Sequence, residues 1–145
     1  MAAELVISRL DDVRFVQTEV KEALLANQFG DRDLFSVELA LEEALVNAIK
    51  HGNQLDPSKR VFVRYEVSAD RFEIRIEDEG PGFNPGDVPD PTAPENLERL
   101  CGRGLLLIRN FMSDVQYHGR GNVVTMTKFR NGKAGDDGAA MADVR

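Results

Sequence analysis

Between residues 33 and 51 the apolar side chains fall at Val37, Leu41, Ala44, Leu45, Ala48 and Ile49, a three-and-four spacing that lays one stripe of a helix against a core. Asp31 or Asp33 offers a cap and Gly52 a stop, so the spacing predicts a helix over 33–51. Val13, Val16, Val20, Ala23 and Leu24 predict another after Asp11 or Asp12. Elsewhere the period is two. Val61, Val63, Tyr65 and Val67 alternate with polar residues, as do Phe72, Ile74 and Ile76 up to Asp78, and the two strands join through Ser68-Ala69-Asp70-Arg71. Glu4 to Ser8 reads as a first strand, and Val115 to Tyr117 with Val123 to Phe129 as a hairpin turning through His118 to Asn122. These elements predict an α/β two-layer sandwich, with helices on one face of a mixed, mostly antiparallel sheet. One domain over 1–130 accommodates them. From Asn131 onward Gly, Ala and Asp dominate without periodicity, which predicts a disordered tail over 131–145.

Composition narrows the partners. The 145 residues suit one domain with one core. Net charge is −7 and the 18 basic residues form no run, which argues against nucleic acid as a direct ligand and suits protein partners. A single cysteine, Cys101, excludes an internal disulfide and a cysteine metal cluster. With no signal peptide and no apolar run of about 18 residues, the expectation is a soluble cytoplasmic protein without a membrane anchor.

Three segments carry candidate chemistry. The first is Asp78-Glu79-Gly80-Pro81-Gly82-Phe83. Asp78 shares the parity of Phe72, Ile74 and Ile76 and so points inward, where a carboxylate needs hydrogen-bond donors. An adenine amino group is one such donor, and glycines allow close approach of a flat ring or a phosphate. A Gly-Pro-Gly turn capped by Asp78 would account for the same residues. The second is the pair Glu43 and Asn47, four apart on one helix face that His51 continues. The amide oxygen can ligate Mg²⁺ and the carboxylate can orient or deprotonate a hydroxyl; a solvated acidic face with Glu38 and Glu42 is the plain alternative. The third is Gly102-Arg103-Gly104, opening an apolar helix from Leu105 to Met112, where free N–H groups suit a phosphate. It lacks the third glycine of a dinucleotide fingerprint and the lysine of a Walker loop. Between the glycine motifs, residues 84 to 101 hold Pro85, Pro89, Pro91 and Pro94; a loop of this kind suits a lid over a ligand or a surface insertion.

In that order, Glu43-x-x-x-Asn47, Asp78-x-Gly80-x-Gly82 and Gly102-x-Gly104 resemble the N, G1 and G2 boxes of the GHKL ATPases, the superfamily of gyrase, histidine kinases and MutL. The contexts Glu42 to Gly52 and Gly102 to Val115 resemble, within it, the anti-sigma factor serine/threonine kinases. The resemblance spans about residues 4 to 130. It implies a Bergerat ATP-binding fold in which Asp78 receives the adenine amino group, Asn47 holds Mg²⁺ against the phosphates and Glu43 is the general base. Gly80, Gly82 and Phe83 would line the pocket, Gly102, Arg103, Gly104 and Leu105 would close over the phosphates, and Lys50 and Arg103 would add charge. It also implies a homodimer that holds a sigma factor and phosphorylates an anti-anti-sigma (STAS-type) protein on Ser or Thr. Arg14 falls roughly where the family places a charged sigma contact, though an exposed helix arginine needs no partner.

The chain departs from the family at one place. The last strand usually opens Gly-Thr, and here it opens Gly121-Asn122. The Asn122 amide is expected to bond the Asp78 carboxylate or a bridging water, with Thr125 as the substitute if the register slips. Two other readings compete with the switch kinase. One is a nucleotide-gated binding module without significant transferase activity. The other is the ATPase fragment of a histidine kinase, against which stands the absence of a phosphoacceptor histidine in residues 1 to 30.

Overall fold

The computed structural model describes residues 2–81, 111–119 and 121–130. The proline-rich loop, Gly82, Phe83, Cys101, Gly102, Arg103, Gly104, Leu105 and the 131–145 tail lie outside the described residues. The described elements are β1 (Ala2–Ile7), α1 (Asp12–Ala26), α2 (Asp31–Val46) running on into a π-helical turn (Asn47–Gly52), β2 (Val61–Val67), β3 (Arg71–Asp78), β4 (Asp114–His118) and β5 (Val123–Phe129).

The strands form one five-stranded sheet in the order β1-β2-β3-β5-β4. All four pairings among the described strands are antiparallel. β5 lies between β3 and β4 in the sheet, so β3 and β4, consecutive among the described strands, are not hydrogen-bonded neighbours. The glycine motifs fall in sequence between these two strands.

Strand alternation sets which face is covered. Val61, Val63, Tyr65 and Val67 of β2, Phe72, Ile74 and Ile76 of β3, and Val124 and Met126 of β5 are buried. They form one core with Val16, Val20 and Leu24 of α1 and with Leu41, Leu45 and Ile49 of α2 and its extension. The other parity is mostly charged. Arg64 stands opposite Arg75 across β2 and β3, relieved by ion pairs to Glu4 at 3.8 Å and Glu77 at 3.0 Å.

Three of the boundaries that differ from expectation have a local reason. β1 ends at Ile7 rather than Ser8, because the Asp12 carboxylate accepts the N–H groups of Ser8 and Arg9 at 3.2 and 3.1 Å and draws the chain out of the ladder. α2 starts behind Gly30, with Asp31 and Asp33 inside its first turn and no side-chain cap bond; carboxylates there favour the helix dipole instead. Its last turn is π-helical and runs through Gly52. Gly52 is therefore the last helical residue, not a left-handed stop, and Asn53 follows it as cap at φ −88°.

Candidate nucleotide site

Asp78 is the last residue of β3 and is 8% exposed. Its main chain closes the ladder against Asn122: the Asp78 N–H donates to the Asn122 carbonyl at 2.9 Å, and the Asn122 side-chain amide donates to the Asp78 carbonyl at 2.9 Å. Its carboxylate oxygen Oδ1 accepts the N–H of Gly80 at 2.8 Å. The inward direction expected from strand parity is what the structure shows.

Asn122 corrects the first of its two expected partners, the Asp78 carboxylate. Its amide is spent on the backbone of Asp78, not on the carboxylate, because Asn122 sits where β5 begins and its side chain completes the ladder that the turn interrupts. Thr125 is not a substitute. It lies on the opposite face of β5, paired across from Arg75, and its hydroxyl bonds His118 Nε2 at 2.8 Å.

The end of the π-helical turn lies directly on this strand end. A Cβ built on Gly52 would stand 2.5 Å from the Asp78 carboxyl carbon, and one built on Gly80 would run into the carbonyl oxygen of Gly52. Real atoms do not approach so closely: at Gly80 the obstacle is backbone and requires glycine, and at Gly52 any side chain would have to displace the Asp78 carboxylate. π-Turns inside α-helices concentrate at functional sites, since the extra residue re-aims the side chains around it. Here the turn starts at Asn47 and closes through the Asn53 N–H, which donates to the Ala48 carbonyl at 2.8 Å.

Glu43 and Asn47 stand one turn apart on α2 and its extension, linked by a backbone bond from the Asn47 N–H to the Glu43 carbonyl. Both are half-buried, and neither side chain hydrogen-bonds another described residue. Lys50 and His51 are exposed on the same turn. Desolvation, and secondarily the charge of Lys50, push the His51 imidazole below its usual pKa of 6.5.

Two features escaped the sequence reading. Asn53, 1% exposed, receives the Glu79 N–H on Oδ1 at 2.8 Å and donates from Nδ2 to the Arg60 carbonyl at 3.1 Å. Glu79 in turn accepts the Arg60 N–H at 2.6 Å and pairs with its guanidinium at 3.3 Å. The bond from the Arg60 N–H chiefly holds Glu79 below the usual carboxylate range, against a desolvation that raises it. An amide just after the helix-ending glycine was the available signal, but its partners lie 7 and 26 residues away and no local pattern names them.

The sequence model of the Histidine kinase-like ATPase domain matches residues 6–128, which takes in all three segments. The chain belongs to the histidine kinase-like ATPase family. Among its relatives are proteins named Serine-protein kinase RsbW: that of Bacillus licheniformis, 34% identical over 116 residues, covering 75% of this chain and 72% of the relative; that of Listeria innocua, 32% identical over 118 residues, covering 77% and 75%; and that of Bacillus velezensis, 30% identical over 116 residues, covering 75% and 72%. The family membership implies ATP binding, and these relatives support a serine/threonine protein kinase activity. The five-stranded sheet with helices on its covered face is the fold this family requires. No described helix is long and apolar enough to cross a membrane.

Proposed function

We propose that this kinase moves the γ-phosphoryl of ATP to a Ser or Thr hydroxyl on an anti-anti-sigma protein, and that as a homodimer it sequesters a sigma factor in the alternate state of the switch. One observation carries the reading. The turn bearing Asp78 and Gly80 packs on the π-helical turn that begins at Asn47, which supports placing the proposed adenine acceptor and the proposed phosphate-side amide in one site.

Each side chain then has a role its chemistry supports. Asp78 accepts the adenine amino group, with one carboxylate oxygen already oriented by the Gly80 N–H. Glu43 accepts the proton of the attacking hydroxyl, a task within reach of a half-buried carboxylate that has no hydrogen-bond partner among the described residues. Lys50 adds positive charge near the phosphates. By their match to the family motif, Gly82, Phe83, Gly102, Arg103, Gly104 and Leu105 complete the nucleotide contacts. Arg14, exposed on α1, is the candidate sigma contact.

The residues fit a magnesium ion that arrives with its nucleotide. Among the described residues no group of three or more His, Cys, Asp or Glu could hold a metal, and Mg²⁺ in phosphoryl transfer usually takes few protein ligands and several phosphate oxygens. The Asn47 amide oxygen is the donor proposed for it. When bound, such an ion neutralises charge on the phosphate oxygens.

Titration of the purified protein with Mg·ATP and Mg·ADP, followed by transfer of radiolabelled phosphate onto an anti-anti-sigma protein, tests the reading. Binding with transfer to Ser or Thr supports it. Binding without transfer leaves a nucleotide-gated module, and no binding removes the site.

A further inference from the structure

Asn53 carries none of the roles above, yet it is among the most buried polar residues described, at 1% exposure. All four of its polar groups are engaged. Its N–H donates to Ala48 at 2.8 Å and its carbonyl accepts the Asp56 N–H at 3.1 Å. Its side chain spans the Glu79 N–H, at 2.8 Å, and the Arg60 carbonyl, at 3.1 Å. A peptide N–H can only donate and a carbonyl can only accept, so the partners fix which amide atom is which. One side chain thus joins the end of the α2 extension, the lead-in to β2 and the exit from β3.

Glu79 lies between Asp78 and Gly80, and the Gly80 N–H orients the Asp78 carboxylate. The middle peptide of that turn is therefore pinned by Asn53 to the helix end. The second brace acts on the Glu79 side chain rather than on its peptide: the carboxylate accepts the Arg60 N–H at 2.6 Å and pairs with its guanidinium at 3.3 Å, the ion pair itself being screened by solvent. We infer that Asn53 is a positioning residue for adenine recognition: it fixes the Asp78–Gly80 turn against the Asn47–Gly52 turn, so that selectivity for the 6-amino group depends on an amide that does not itself touch the base. The inference rests on the reading of Asp78 as the adenine acceptor.

The test is the ratio of affinities for Mg·ATP and for the magnesium complex of purine riboside triphosphate, which lacks the 6-amino group. In the wild-type protein the ratio should be about tenfold or more, the scale of one charge-assisted hydrogen bond. Asn53→Ala should reduce it at least about fivefold, while Asn53→Asp, which keeps an acceptor for the Glu79 N–H, should fall between the two. A purely structural loss would weaken both nucleotides in proportion, so an unchanged ratio in Asn53→Ala overturns the inference whatever happens to the melting temperature. If Asn53→Ala does not accumulate as folded protein, Asn53→Asp decides: a ratio reduced at least about twofold supports the inference, and a wild-type ratio overturns it. A wild-type ratio near one would instead remove the adenine assignment of Asp78 itself, and the inference with it.

Discussion

The carbonyl oxygen of Gly52 and the α-carbon of Gly80 meet with no room for a side chain between them. Gly52 closes the helix that carries Glu43 and Asn47, and Gly80 follows the strand that carries Asp78. This backbone contact sets the distance between the two halves of the proposed nucleotide site. Gly80→Ala should push the halves apart, destabilising the protein by ~1–3 kcal/mol as overpacking does and weakening ATP binding by more than the loss of fold stability alone explains. Thermal melts with and without Mg·ATP measure both: a variant that melts like wild type and keeps its ligand-induced shift would show that the contact is not needed.

The Asp78 carboxylate accepts the Gly80 N–H, and an asparagine oxygen can accept it as well. Asp78→Asn should therefore fold, while losing ~1.5–3 kcal/mol of ATP affinity with the charge-assisted bond. A calorimetric affinity within about threefold of wild type, under ~1 kcal/mol, would rule out the adenine assignment.

Removing Glu43 should separate binding from chemistry. Its side chain has no partner among the described residues, so Glu43→Ala should retain the fold and Mg·ATP affinity while phosphoryl transfer falls roughly a hundredfold or more. Parallel titration and single-turnover transfer would distinguish this from a structural role, in which both quantities fall together.

Asn122→Ala leaves the buried Asp78 carbonyl without its side-chain donor. The expected cost is ~1–3 kcal/mol of stability, the penalty for an unsatisfied buried acceptor. ATP affinity should fall less than in Asp78→Asn, since the amide bonds the backbone and not the carboxylate. Urea unfolding and calorimetry on the two variants give the comparison.

His51 gives the fold a pH dependence with a defined sign. Its folded pKa lies below 6.5 through desolvation and the Lys50 charge, so the unfolded state binds the proton first as pH falls. Stability from this group rises with pH from the folded pKa to about 6.5 and is lost over the same window on acidification. Solvent screening keeps the effect small. Denaturation midpoints from pH 5 to 8 should show a shallower acid loss in His51→Gln than in wild type; identical profiles would mean the imidazole is not perturbed.

Sequence periodicity was enough for the strands and helices, because amphipathic spacing is a local property: Val61 to Val67 and Phe72 to Asp78 alternate, and Val37 to Ile49 recurs at helical spacing. It was enough also for the inward aim of Asp78 and the shared face of Glu43 and Asn47, since parity and helical pitch fix side-chain direction along one element. What the chain could not state locally was which elements touch. That Gly52 is a contact glycine rather than a left-handed stop follows from the Asp78 carboxylate arriving 26 residues later. That Asn122 serves the backbone of Asp78, and that Asn53 ties Glu79 to Arg60, follow from hydrogen bonds across sequence separations of 44, 26 and 7. Buried polar groups must find partners, but only the assembled sheet and helix decide which ones are within reach.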